Sequence, residues 1–169
     1  MQYYLNQCSL KSYEHSFREK IMAWWSSIFG SKDKEFQDIK EEASEEIAGL
    51  NFKTALEAHI KWKQRLKGVI DGSGTEALDP RIVSKDDQCA LGKWIITDGV
   101  KNFGEQPGFV AVVHAHTHFH KCAGHTLELA LDGKLKEAEE ELATGDYARA
   151  SLDVSRHLMR LWRDVGIDK

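Results

Sequence analysis

The sequence predicts an all-α protein, a four-helix-bundle-like domain with an additional N-terminal amphipathic helix. Three observations carry that reading: two prolines in 169 residues, long stretches rich in Ala, Glu, Lys and Leu, and no sustained strand alternation. Turn signals cut the chain into helix-length pieces at Gly30-Ser31, Asp71-Gly72-Ser73-Gly74, Gly104 with Pro107, Asp132-Gly133 and Gly145-Asp146. Between them helices are expected near 9–29, 34–46, 51–70, 87–102, 108–131, 134–143 and 146–165. Pieces of this length pack as a bundle.

In the first helix Tyr13, Phe17, Ile21, Trp24, Ile28 and Phe29 recur at helical spacing opposite Ser12, Ser16, Glu19 and Ser26, with Glu14 intruding on the apolar face. Such a face docks on its own bundle, pairs with a second copy or lies in a partner's groove. Its polar side is not basic enough to favour a membrane surface. Residues 1–44 are therefore expected to form an N-terminal helical extension and residues 45–169 the bundle. The acidic clusters Glu41-Glu42, Glu45-Glu46 and Glu137 to Glu141 read as solvated helix faces.

Within 51–70, successive 100° turns put Phe52, Ala55, Leu56, Trp62, Leu66 and Ile70 within about 60° of His59. The 87–102 piece carries Cys89 near its start, behind the capping side chains of Ser84-Lys85-Asp86-Asp87, where a helix dipole favours a thiolate. In 108–131, Phe109, Val112, Val113, Phe119, Ala123, Leu127, Ala130 and Leu131 fall within about 60° of His116, and His120 shares this stripe. His114, His118 and His125 point the other way.

Composition excludes several functions. With 23 Lys+Arg against 27 Asp+Glu the net charge is -4, which speaks against nucleic-acid binding. The longest apolar patch, residues 21–29, is broken by two serines and falls short of the roughly 20 residues of a membrane span. The opening Met1-Gln2-Tyr3-Tyr4 has no secretory character, so a cytoplasmic location is expected, with Cys8, Cys89 and Cys122 as thiols.

Three imidazoles in apolar stripes demand partners, because buried polar nitrogens without hydrogen bonds cost free energy. Backbone or water can satisfy them. An i, i+4 pair such as His116 and His120 can also converge on a cation, and His59 with Cys89 would complete three nitrogens and one sulfur, a tetrahedral set that zinc takes readily. Such a closed set speaks against an enzyme. The residues between the paired histidines are Thr117, His118 and Phe119, so the zinc-protease pattern with its carboxylate base is missing; a di-iron centre would need several inward carboxylates or more His pairs on other helices, and no such repeated pairs are found. Trp62 and Trp94 read as packing around the site, and Gly92 as a point where one helix backbone meets another. Cys122 with the outward histidines would make a second, exposed metal face, which burial logic disfavours. Cys8, His15 and His157 carry no readable role.

The order His59-x-x-Trp62, Cys89-Ala90-Leu91-Gly92-Lys93-Trp94, His116-x-x-Phe119-His120 resembles the chemoreceptor zinc-binding family over roughly residues 45–165. The resemblance implies a cytoplasmic bacterial helical domain that binds one Zn2+ through His59, Cys89, His116 and His120, with Trp62, Gly92, Trp94 and Phe119 packed around it. It further implies regulation by zinc occupancy or by oxidation of Cys89, in chemotaxis or cyclic-di-GMP signalling. A chemoreceptor hairpin or a diguanylate cyclase is not found in these 169 residues. The signal is thus expected to leave by contact with a signalling partner or through a homodimer. The rival expectation is a zinc-stabilised interaction module without sensing; a metalloenzyme would need an open coordination position.

Overall fold

The structure, a computed structural model, describes residues 46–166. The expected 9–29 helix, the extension 1–44, nearly all of the 34–46 helix, Cys8 and His15 lie outside the described residues.

A hairpin comes first. Strand β1 (Glu46–Ile47) pairs antiparallel with β2 (Leu50–Asn51), Ile47 opposite Leu50. The two turn residues, Ala48 at φ 48° and Gly49 at φ 80°, are both left-handed, as a tight two-residue hairpin connection requires. Glu46 is therefore in a strand, not at the end of a helix.

Asn51 then caps α1 (Phe52–Ile70), its side chain accepting from the Thr54 N–H at 2.9 Å. Helix α2 (Pro80–Val83) is one turn that the sequence reading does not anticipate. Its start is nevertheless marked, since Asp79 accepts from the Arg81 N–H and Pro80 takes the first turn.

The expected 87–102 helix begins later and is not uniform. It consists of α3 (Ala90–Trp94), a π-helical turn (Ile95–Gly99) and α4 (Val100–Phe103). The wide turn puts Gly99 directly under Trp94, where a Cβ would come within 3.0 Å of the Trp94 carbonyl oxygen. Trp94 packs edge-on against Phe52 and Phe109 and donates its Nε1–H to the Ala48 carbonyl at 2.7 Å, tying the hairpin to this segment.

Three further helices follow: α5 (Pro107–Leu131), α6 (Leu135–Ala143) and α7 (Asp146–Gly166). Every pair among α1, α5, α6 and α7 is in contact, and α2 lies against α5. The all-α bundle is thus as the sequence predicts. Leu66, Phe119, Ala123, Leu127, Ala138, Tyr147 and Val154 share its core, each large apolar side chain contributing about 1.5–3 kcal/mol on burial. Leu131, expected on the core stripe, is 57% exposed because it is the last helical residue before the turn at Asp132-Gly133. Among the described residues no helix is long and apolar enough to cross a membrane.

Candidate metal centre

The apolar stripes of α1 and α5 face each other, and each carries histidine in its middle. His59 on α1 and His116 and His120 on successive turns of α5 are 3%, 1% and 2% exposed. Cys89 is the N-cap of α3, half-buried beside them. One ligand atom from each of these four residues lies within 4.8 Å of every other.

Hydrogen bonding fixes what each ring offers. His59 Nδ1 donates to the Ala55 carbonyl at 2.7 Å, one turn back on α1. His120 Nδ1 donates to the Val83 carbonyl at 2.8 Å, at the end of α2. A carbonyl can only accept, so both rings carry their proton on Nδ1 and a lone pair on Nε2. Both Nε2 atoms are buried without a hydrogen-bond partner. His116 Nε2 lies 3.2 Å from Cys89 Sγ.

Burial sets the charges. Loss of solvent drives His59 down to about 4, with the neighbouring His120 adding to the effect. His116 is lowered further by burial and by both other imidazoles. His120 is lowered by burial against the opposing pull of the Val83 carbonyl. All three rings are neutral at pH 7, the protonation state a metal needs. Burial pushes the Cys89 thiol up, opposed mainly by the Gly92 N–H, which donates to Sγ at 3.3 Å.

Phe119 is wholly buried, its ring centre 5.1 Å from that of His59 and 5.3 Å from that of His120. Trp62 is half-buried, 6.2 Å from the His120 ring, with the Arg65 guanidinium 3.8 Å above it. Gly92 meets the Asp86-Asp87 turn rather than a second helix: a Cβ there would stand 1.7 Å from the Asp86 carbonyl oxygen. His114, His118 and His125 are exposed, but Cys122 is buried in the core cluster. Cys122 Sγ lies 3.7 Å from His118 Nε2, but among the described residues the group of side chains close enough to share a metal is the one at His59. The sequence reading missed the Val83 carbonyl and the hydrogen bond from the Thr117 hydroxyl to the Asp86 carboxylate. The Asp79-Pro80 helix-start signal points to the first; nothing in the pattern points to the second.

The family model of the chemoreceptor zinc-binding domain matches residues 59–127. Residues 59–127 are a chemoreceptor zinc-binding domain. This chemoreceptor zinc-binding domain opens at His59 and takes in Cys89, His116 and His120, so all four clustered residues belong to it. The family is a regulatory zinc-binding one. No curated protein and no solved structure matched in the other two comparisons.

Zinc fits the residues of this domain. Two orphaned Nε2 lone pairs, a third neutral imidazole and a thiol make a donor set of three nitrogens and one sulfur. Zn–N and Zn–S bonds of about 2.0–2.3 Å put tetrahedral donors roughly 3.3–3.7 Å apart. The Cys89–His116 contact is already near that spacing at 3.2 Å.

Proposed function

We propose that this chain is a cytoplasmic regulatory domain of bacterial signalling in which His59, Cys89, His116 and His120 hold one Zn2+. The observation that carries the reading is the pair of unpartnered Nε2 atoms on His59 and His120, buried within 4.8 Å of a thiol and a third imidazole. Leaving such atoms unpaired costs about 1–3 kcal/mol each. When bound, zinc supplies a cross-link whose binding free energy adds to folding.

Cys89 carries the signal. It is the half-buried ligand on the rim, whereas the three imidazoles are at most 3% exposed. A two-electron oxidant such as hypochlorous acid therefore meets Sγ first: the sulfur takes the oxygen as a sulfenic acid and chloride leaves. The oxidised sulfur is a poorer ligand, and the α3 cap loses its hold on α5. The change leaves by contact with a second copy or with a protein of a chemoreceptor or diguanylate cyclase pathway. Four protein donors leave no position for a reacting water, so the reading is regulatory rather than hydrolytic.

The test is the zinc content of the purified full chain, measured by elemental analysis before and after hypochlorous acid. One zinc per chain is expected, released by about one equivalent of oxidant while helicity persists. Zinc retained until the fold melts would favour a permanent structural ion. A metal-free protein that ignores added zinc would end the reading.

A further inference from the structure

The four clustered side chains are held by unequal means. Three stand on long helices, but Cys89 follows the 84–88 connection from α2 to α3, in which Ser84, Lys85, Asp87 and Gln88 are exposed. Asp86 is the half-buried residue of that connection. Its carbonyl oxygen rests against Gly92, where a Cβ would lie 1.7 Å away, and it is 3.9 Å from Cys89 Sγ. Its carboxylate reaches α5 and accepts a hydrogen bond from the hydroxyl of Thr117, the neighbour of His116. Among the described residues this is the one side-chain hydrogen bond between the 84–88 connection and α5.

We infer that Asp86 and Thr117 are positioning residues for the metal: their hydrogen bond holds the turn before Cys89 against α5, so that the sulfur stays over His116. The inference rests on the zinc reading above. A hydroxyl donating to an ionised carboxylate makes a strong, directional bond. Neither residue is among the four donors, so the bond can be cut without removing a ligand. Without it the connection still rests on Gly124 of α5 at Ser84 and on Gly92 at Asp86, but the turn next to Cys89 loses its hydrogen bond to α5, and Cys89 is free to withdraw while the three imidazoles remain in place. Loss of outer hydrogen-bond partners of metal ligands lowers affinity by about 10–100-fold.

Cobalt(II) and competing zinc titrations of the full chain test this. The comparison is wild type, Thr117→Val, Thr117→Ser, Asp86→Ala and the Thr117→Val/Asp86→Ala double variant. Wild type should show a thiolate-to-cobalt charge-transfer band in the near ultraviolet. Thr117→Val and Asp86→Ala should each weaken that band and lower zinc affinity by about 10–100-fold, and Thr117→Ser should retain both. The double variant should be no worse than the weaker single one, because the same bond is lost in all three. Wild-type affinity and band in Thr117→Val, or losses that add in the double variant, would overturn the inference. A wild-type protein that binds cobalt without the band would instead take down the zinc site itself. Should Thr117→Val not fold, Asp86→Ala alone decides by the same band.

Discussion

Sγ of Cys89 stands 3.2 Å from Nε2 of His116, although 27 positions separate the two residues along the chain. The contact joins the cap of a short helix to the middle of the 25-residue α5, with His59 and His120 completing the group. Substituting any of the four should lower zinc affinity by orders of magnitude. Cys89→Ser keeps the size but offers a hard hydroxyl in place of a soft sulfur. His118→Ala removes an exposed imidazole from the same helix and should leave affinity unchanged. Competition against a chromophoric chelator measures both; equal losses at Cys89 and His118 would refute the assignment of faces.

Zinc uptake should release about one proton per ion at pH 7. The rings of His59, His116 and His120 are lowered by burial, so they arrive neutral and give up nothing. Cys89 is raised by burial and arrives as a thiol, so its proton is the one displaced. The sign follows: affinity should rise about tenfold per pH unit across neutrality and flatten only above the thiol's own pKa. Calorimetry in buffers of different ionisation enthalpy counts the proton. Cys89→Ser should release none, and a release near two would mean that a histidine is charged before binding.

The helices α1, α5, α6 and α7 are legible in the sequence because each repeats the 3.6-residue period for two or more turns. The meeting of His59 with the His116–His120 pair follows from that same period, since all three sit in the middle of apolar stripes. Helix α2 is not legible as a helix, because four residues complete barely one turn and show no period. Asp79-Pro80 marks where it starts, but no period shows that its Val83 carbonyl meets His120 and fixes that tautomer. Cys122 fails for a different reason. A helical wheel assigns an angle, whereas burial depends on how many neighbours surround the helix. Helix α5 is covered by α1, α2, α6 and α7, so its buried arc is wider than one stripe and takes in Cys122, Thr126 and Leu129.

Gly92→Ala should cost both stability and metal. The added methyl would fall 1.7 Å from the Asp86 carbonyl oxygen, a backbone atom that cannot swing aside as a side chain would. Either α3 or the Asp86-Asp87 turn must move, and the Gly92 N–H that donates to Cys89 Sγ moves with it. Overpacking of this kind costs about 1–3 kcal/mol. Denaturant unfolding of the metal-free protein reads the first loss and zinc competition the second. Unchanged values in both would mean that the turn has room the close approach denies.

Removing zinc should lower the melting temperature by roughly 10 °C. A ligand that binds only the folded state at about 100 times its dissociation constant adds about 2.7 kcal/mol. One kcal/mol moves the midpoint of a domain near 100 residues by about 4–8 °C and that of a larger one by about half as much. The gain should be specific to the four-residue group, because it ties α1, the Cys89 cap and α5 together through one ion. Scanning calorimetry with and without chelator measures the shift, and His59→Ala, which frees α1 from the group, should abolish it. A shift that survives in His59→Ala would mean that the ion binds elsewhere.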